Sequence, residues 1–96
     1  MPRRDRIEAI GIDEKGLLWV KPASEQFPLI YREAMEIGWD PECLRLCGPK
    51  LRGWLHLDWF LQIRAVAREQ GVELEIAAAT TWNEIDAELR AAIERS

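Results

Sequence analysis

The sequence predicts an α+β domain with element order β-β-α-β-α-β-α, built on a mixed four-stranded sheet with helices mainly on one face. Three observations carry that prediction. Two apolar, β-branched runs at residues 6–12 and 17–22 are separated by a short glycine-bearing loop. Apolar residues recur at helical spacing over residues 56–70. Residues 72–78 then alternate apolar and charged positions directly after a glycine.

The hairpin comes first. Asp13-Glu14-Lys15-Gly16 joins the two runs, with Gly16 where a left-handed conformation is needed, and Pro22 closes the second strand. Phe27, Ile30, Tyr31, Ala34 and Met35 then recur at helical spacing, with Pro28 suited to a first turn and Gly38 to a C-terminal cap. A helix is expected over residues 28–37. Trp39-Asp40-Pro41 reads as a turn. Cys43, Leu44, Leu46 and Cys47 make a short apolar run over residues 42–47, read as a strand or as a helical turn with the strand preferred.

Residues 48–53 read as a loop. The next helix places Trp59, Phe60, Ile63, Val66 and Ala67 on one broad face, and Gly71 ends it. Val72, Leu74 and Ile76 face inward from a half-buried strand, with Glu73 and Glu75 on its solvated side. Thr81-Trp82-Asn83-Glu84 matches a capping box, which predicts a last helix over residues 82–94 with Trp82, Ile85, Leu89 and Ile93 inward. If the third and fourth strands pair, their helical crossover makes them parallel.

Composition bounds the function classes. The chain of 96 residues suits one domain, with residues 1–5 expected to be a mobile arm. Its net charge of −4 and the confinement of clustered arginine to Arg3, Arg4 and Arg6 argue against nucleic-acid binding. No apolar stretch is long enough for a membrane helix and no secretory h-region follows the start, so a cytoplasmic protein with reduced cysteines is expected.

The candidate chemistry is sparse. Cys43 and Cys47 on a strand would lie about 13 Å apart, too far for one ion, and only on a helical turn could they chelate; with His56 the chain's sole histidine, no metal or cofactor is expected. No phosphate loop, dinucleotide fingerprint or nucleophile elbow occurs. Asp58, near a helix start, reads first as a capping residue. The five tryptophans stand out beside two phenylalanines and one tyrosine. Trp59 and Trp82 lie on apolar faces and are explained by core packing, whereas Trp39 and Trp54 sit in turns, where an aromatic covers the core edge or lines a groove.

The pattern Trp54-x3-Asp58-Trp59-Phe60-x-Gln62-Ile63, with Gly71-Val72-Glu73-Leu74 and Thr80-Thr81-Trp82-Asn83 after it, resembles small uncharacterised proteins carried on integron gene cassettes. The similarity covers residues 54–93. It implies a small, soluble α+β protein, dimeric in some members, and it brings no activity and no catalytic residue. Leu55 stands where a serine-like cap would suit the helix.

The function expected from the sequence is a non-enzymatic binding or protein-interaction module. Its candidate groove is lined by Trp39, Trp54, His56, Trp59 and Trp82, and its partner is a small molecule, another protein or a second copy of the chain. The alternatives are a small enzyme pairing His56 with Asp40 or Asp58 for acid–base chemistry, and an immunity- or antitoxin-like partner protein.

Overall fold

A computed structural model describes residues 3–26, 38–40, 42–47 and 55–96. The strands are β1 (Arg3–Ile12), β2 (Leu18–Pro22), β3 (Gly38–Asp40), β4 (Arg45–Cys47) and β5 (Val72–Asn83), and the helices are α1 (His56–Glu69) and α2 (Ala87–Arg95). Among the described residues the sheet has five strands in the order β3-β4-β2-β1-β5. Only β1 and β5 are parallel; the other neighbours are antiparallel. The α+β class and mixed sheet stand, with one strand more than the expected four. The additional strand is β3: Trp39 and Asp40, read as a turn, pair with Leu46 and Arg45.

The hairpin forms as its sequence dictates. Asp13 Oδ1 accepts from the amides of Lys15 and Leu17, and Gly16 turns the chain at φ +84. β1 begins at Arg3, inside the stretch expected to be an arm. Arg3 donates its amide to Gly71 O, and Asp5, on the same strand, is 7% exposed. The Asp5 carboxylate accepts from the amides of Ser24 and Glu25 and so ties down the chain leaving β2.

The core lies between the sheet and the helices. Ile7, Ile10, Leu18, Val20, Leu46, Val72 and Leu74 meet Trp59, Phe60, Ile63, Val66 and Ala67 of α1 and Ile93 of α2. The α1 boundaries follow its apolar period, and Gly71, also at φ +84, releases the chain into β5. Leu55 occupies the N-cap with no side-chain oxygen to offer; Asp58 reaches back instead, accepting the Leu55 amide at 3.0 Å.

The strand preferred within residues 42–47 forms in shortened form, while the strand pairing across α1 and the cap of the last helix differ from expectation. The crossover helix α1 does not link paired strands: β5 lies beside β1, and β4 pairs antiparallel with β2. The run at residues 42–47 divides into a turn and the strand Arg45–Cys47, with Leu44 in the turn at φ 54. Thr81 is not a helix cap, because β5 continues to Asn83 by pairing Thr81, Trp82 and Asn83 with Ala9, Ile10 and Gly11. Asp86 caps α2 instead, accepting the Leu89 amide at 2.7 Å. The expected helix over residues 28–37 and the loop over residues 48–53 lie outside the described residues.

Candidate functional site

Cross-strand register sorts the side chains into rows. On the helix side one row runs Trp39, Leu46, Val20, Ile10, Trp82 from one edge of the sheet to the other. Trp39 and Trp82 pack as partly buried flanks of the core, and Trp59 is 1% exposed within it. Trp82 also carries the Arg90 guanidinium over its ring at 4.9 Å. The three share the helix side without forming an aromatic cluster. Trp54 lies outside the described residues.

His56 stands at the first turn of α1, where its Nε2 is 2.9 Å from Gly16 O in the hairpin loop. With that nitrogen donating, the imidazole ties the helix start to the β1–β2 turn. The two carboxylates considered as its partners are committed elsewhere: Asp58 to the Leu55 amide, and Asp40 to the amides of Glu42 and Cys43. His56 also borders a cleft of about 280 Å³, lined by Leu55, Leu57, Leu89 and Ala92 with Asp86 and Glu88 on its rim. The described residues contain no cluster of metal-binding side chains and no helix long and apolar enough to cross a membrane.

The second face of the sheet carries a different row: Gly38, Cys47, Trp19, Gly11, Asn83. The Trp19 indole lies against Gly11 so closely that a Cβ there would stand 2.5 Å from Cζ2 of the ring. The Arg45 guanidinium lies 4.7 Å from the Trp19 ring centroid. Glycine is thus required at residue 11 by close approach, and the cation fixes the indole from above.

Beside this stack opens a groove of about 680 Å³, within the range that small-molecule sites occupy. Ala9 and Thr81, paired across β1 and β5, contribute small side chains to it. A register shift in β1 between Ile7 and Ala9 lets Ile7 and Ile10 both face the core, and the two residues between them, Glu8 and Ala9, both line the groove. Lys21 Nζ is 3.1 Å from the Glu8 carboxylate. The β3–β4 turn supplies Glu42, Cys43 and Leu44.

The electrostatics of the turn follow from its hydrogen bonds. Asp40 Oδ1 accepts from Cys43 N at 3.3 Å and Glu42 N at 3.0 Å, and Arg45 Nε stands 3.8 Å from Oδ2. The Cys43 amide above all, with the Glu42 amide and Arg45, holds the Asp40 carboxyl below its ordinary value. Arg45 Nε is buried and makes no hydrogen bond among the described residues. Burial pushes the Cys47 thiol above its ordinary value, so it is not a thiolate nucleophile at neutral pH.

Sequence reasoning missed this groove. Trp19 lay inside an apolar strand, and Arg45 lies 26 residues further along the chain. The available signal was Gly11 within the predicted strand, since a glycine there marks a bulge or a close approach.

A family model described as Integron Cassette Protein Hfx_Cass5 matches residues 5–80. A solved structure titled "Structure from the mobile metagenome of North West Arm Sewage Outfall: Integron Cassette Protein Hfx_Cass5" is 42% identical, over 95% of this chain and 92% of that one, with a TM-score of 0.48. No curated protein matches the chain.

Proposed function

The chain belongs to the Hfx_Cass5 family of integron cassette proteins, and from that premise we propose that it is a non-enzymatic binding module holding a small ligand in the groove beside Trp19. The observation that carries this reading is the Gly11–Trp19–Arg45 stack walling a groove of about 680 Å³. A rigid aromatic wall with a few converging polar groups is what a small-ligand site requires. Glu8, Lys21, Glu42 and Arg45 supply the polar groups, and Leu44 and Trp19 supply apolar surface.

Trp39, Trp59 and Trp82, expected from the sequence to line the groove, are engaged with the core. The aromatic role in the proposed site passes to Trp19. Leu44 adds support: a non-glycine residue held at φ 54, 40% exposed and lining the groove, is the kind of strained position that collects at ligand sites.

The test is a small-molecule screen read by the indole N–H resonance of Trp19, assigned through Trp19→Phe. Ligands that move the Trp19 and Lys21 resonances together and lose affinity in Trp19→Ala support the module. Hits that instead cluster on Leu55, Leu57 and Leu89 would move the site to the cleft beside His56.

A further inference from the structure

Resting on the reading of the groove as a ligand site, we infer that its ligand is a zwitterion with an apolar side chain, a free α-amino acid. The groove is lined by two cations, Lys21 and Arg45, and two carboxylates, Glu8 and Glu42. A ligand of single charge would find one of its own sign beside every opposite one. A zwitterion satisfies both signs.

The existing pairings leave two of the four charges with spare capacity. Lys21 and Glu8 already pair at 3.1 Å. Among the described residues the carboxylate paired with Arg45 is Asp40, whose Oδ2 stands 3.8 Å away, beyond hydrogen-bond reach, and Asp40 is held by two backbone amides. Glu42 has no ion-pair partner among the described residues, and it is exposed. A ligand carboxylate therefore goes to the fork of the Arg45 guanidinium, whose planar donors suit a bidentate oxygen pair. The ligand ammonium goes to Glu42.

The apolar requirement comes from Leu44, which lies in the chain between Glu42 of the turn and Arg45 at the start of β4. Leu44, at a left-handed φ of 54 and 40% exposed, lines the groove together with Trp19. A hydrocarbon side chain on the ligand covers that leucine and removes its exposed surface from water.

Three probes separate the charges: L-phenylalanine, 3-phenylpropionate lacking the ammonium, and 2-phenylethylamine lacking the carboxylate. Each is titrated into the full chain while the Trp19 indole and the Lys21 and Cys43 amide resonances are followed. L-phenylalanine binds at least about tenfold more tightly than either analogue, the loss expected for one charge-assisted hydrogen bond. Arg45→Met weakens L-phenylalanine but leaves 2-phenylethylamine unchanged. Glu42→Gln, an exposed change that does not threaten the fold, weakens L-phenylalanine but leaves 3-phenylpropionate unchanged. If 3-phenylpropionate binds as tightly as L-phenylalanine, the groove is a ligand site but the zwitterion inference is overturned. Absence of any shift at Trp19, Lys21 and Cys43 with all three probes at millimolar concentration also overturns it, while the broader screen decides separately whether the groove binds anything.

Discussion

The hydroxyl of Thr80 donates to the carbonyl of Ile7 at 2.6 Å and accepts from the amide of Ala77 at 2.9 Å, so one buried side chain closes the irregular stretch in the parallel pair β1–β5. Ile7 pairs with Ile76 and Ala9 with Thr81, so two steps along β1 are matched by five along β5. Thr80 takes up that mismatch by linking its own strand to the neighbouring one. Only after it can Thr81, Trp82 and Asn83 rejoin Ala9, Ile10 and Gly11, which brings Thr81 to the groove.

Thr80 should accordingly be costly to replace. Thr80→Val keeps the shape but leaves the Ile7 carbonyl and the Ala77 amide without their partner, at a cost of about 1–3 kcal/mol. Thr80→Ser restores most of it. Urea unfolding midpoints at constant slope measure both, and a Thr80→Val midpoint equal to that of the parent would remove Thr80 from this role.

Gly11→Ala forces a Cβ against Trp19 Cζ2 at 2.5 Å and against the Asn83 carbonyl at 2.8 Å. The indole must move, at about 1–3 kcal/mol, and the near-ultraviolet circular dichroism should change with it. In a Trp19→Ala background the cost should fall without vanishing, because the Asn83 contact is backbone. Additive effects of the two changes would mean that Trp19 does not pack on Gly11.

The cap of α2 separates two readings of the same sequence. Asp86→Ala removes the acceptor of the Leu89 amide and should destabilise by about 1 kcal/mol in thermal unfolding. Glu84, named in the alternative capping box, sits at φ 58 as part of the turn into α2. Glu84→Gly should therefore be neutral or stabilising by up to about 1 kcal/mol. A larger loss from Glu84→Gly than from Asp86→Ala would restore the earlier cap.

The β3–β4 hairpin should depend on acid pH. The carboxyl of Asp40 titrates below its ordinary 3.8 in the folded chain, so it contributes stability above that value, and the contribution fades as pH falls through the lower folded value. The Glu42 and Cys43 amide resonances, which report its two hydrogen bonds, should hold steady near neutral pH and shift on acidification below about pH 4. Asp40→Asn should abolish that titration. Retention of the shift in Asp40→Asn would assign it to another group.

Much of the architecture was legible in local pattern. The Asp13–Gly16 turn, the helical period from His56 to Glu69 and the stop at Gly71 each depend on neighbours close in sequence, and all appear where expected. Trp59 packs in the core as its helical face implied. The candidate site was far less legible. Trp39, Trp59 and Trp82 of the expected groove pack with the core, and the proposed groove uses Trp19 and a lining drawn from four strands and one turn.

By itself, then, the sequence determined the α+β class, the first hairpin, α1 and the strand after it, because propensity and apolar periodicity act within a few residues. Tertiary structure alone decided that β5 lies parallel to β1 and runs through Thr81 and Trp82. There the hydrogen bonds and burial gained by pairing Trp82 with Ile10 outweigh a four-residue capping signal. It also decided which face Trp19, Trp39 and Trp82 serve. Side chains alternate across a strand, and the register shifts at Ile7–Ala9 put Trp82 over the core with Trp39 and leave Trp19 on the other face, against Gly11 and under Arg45.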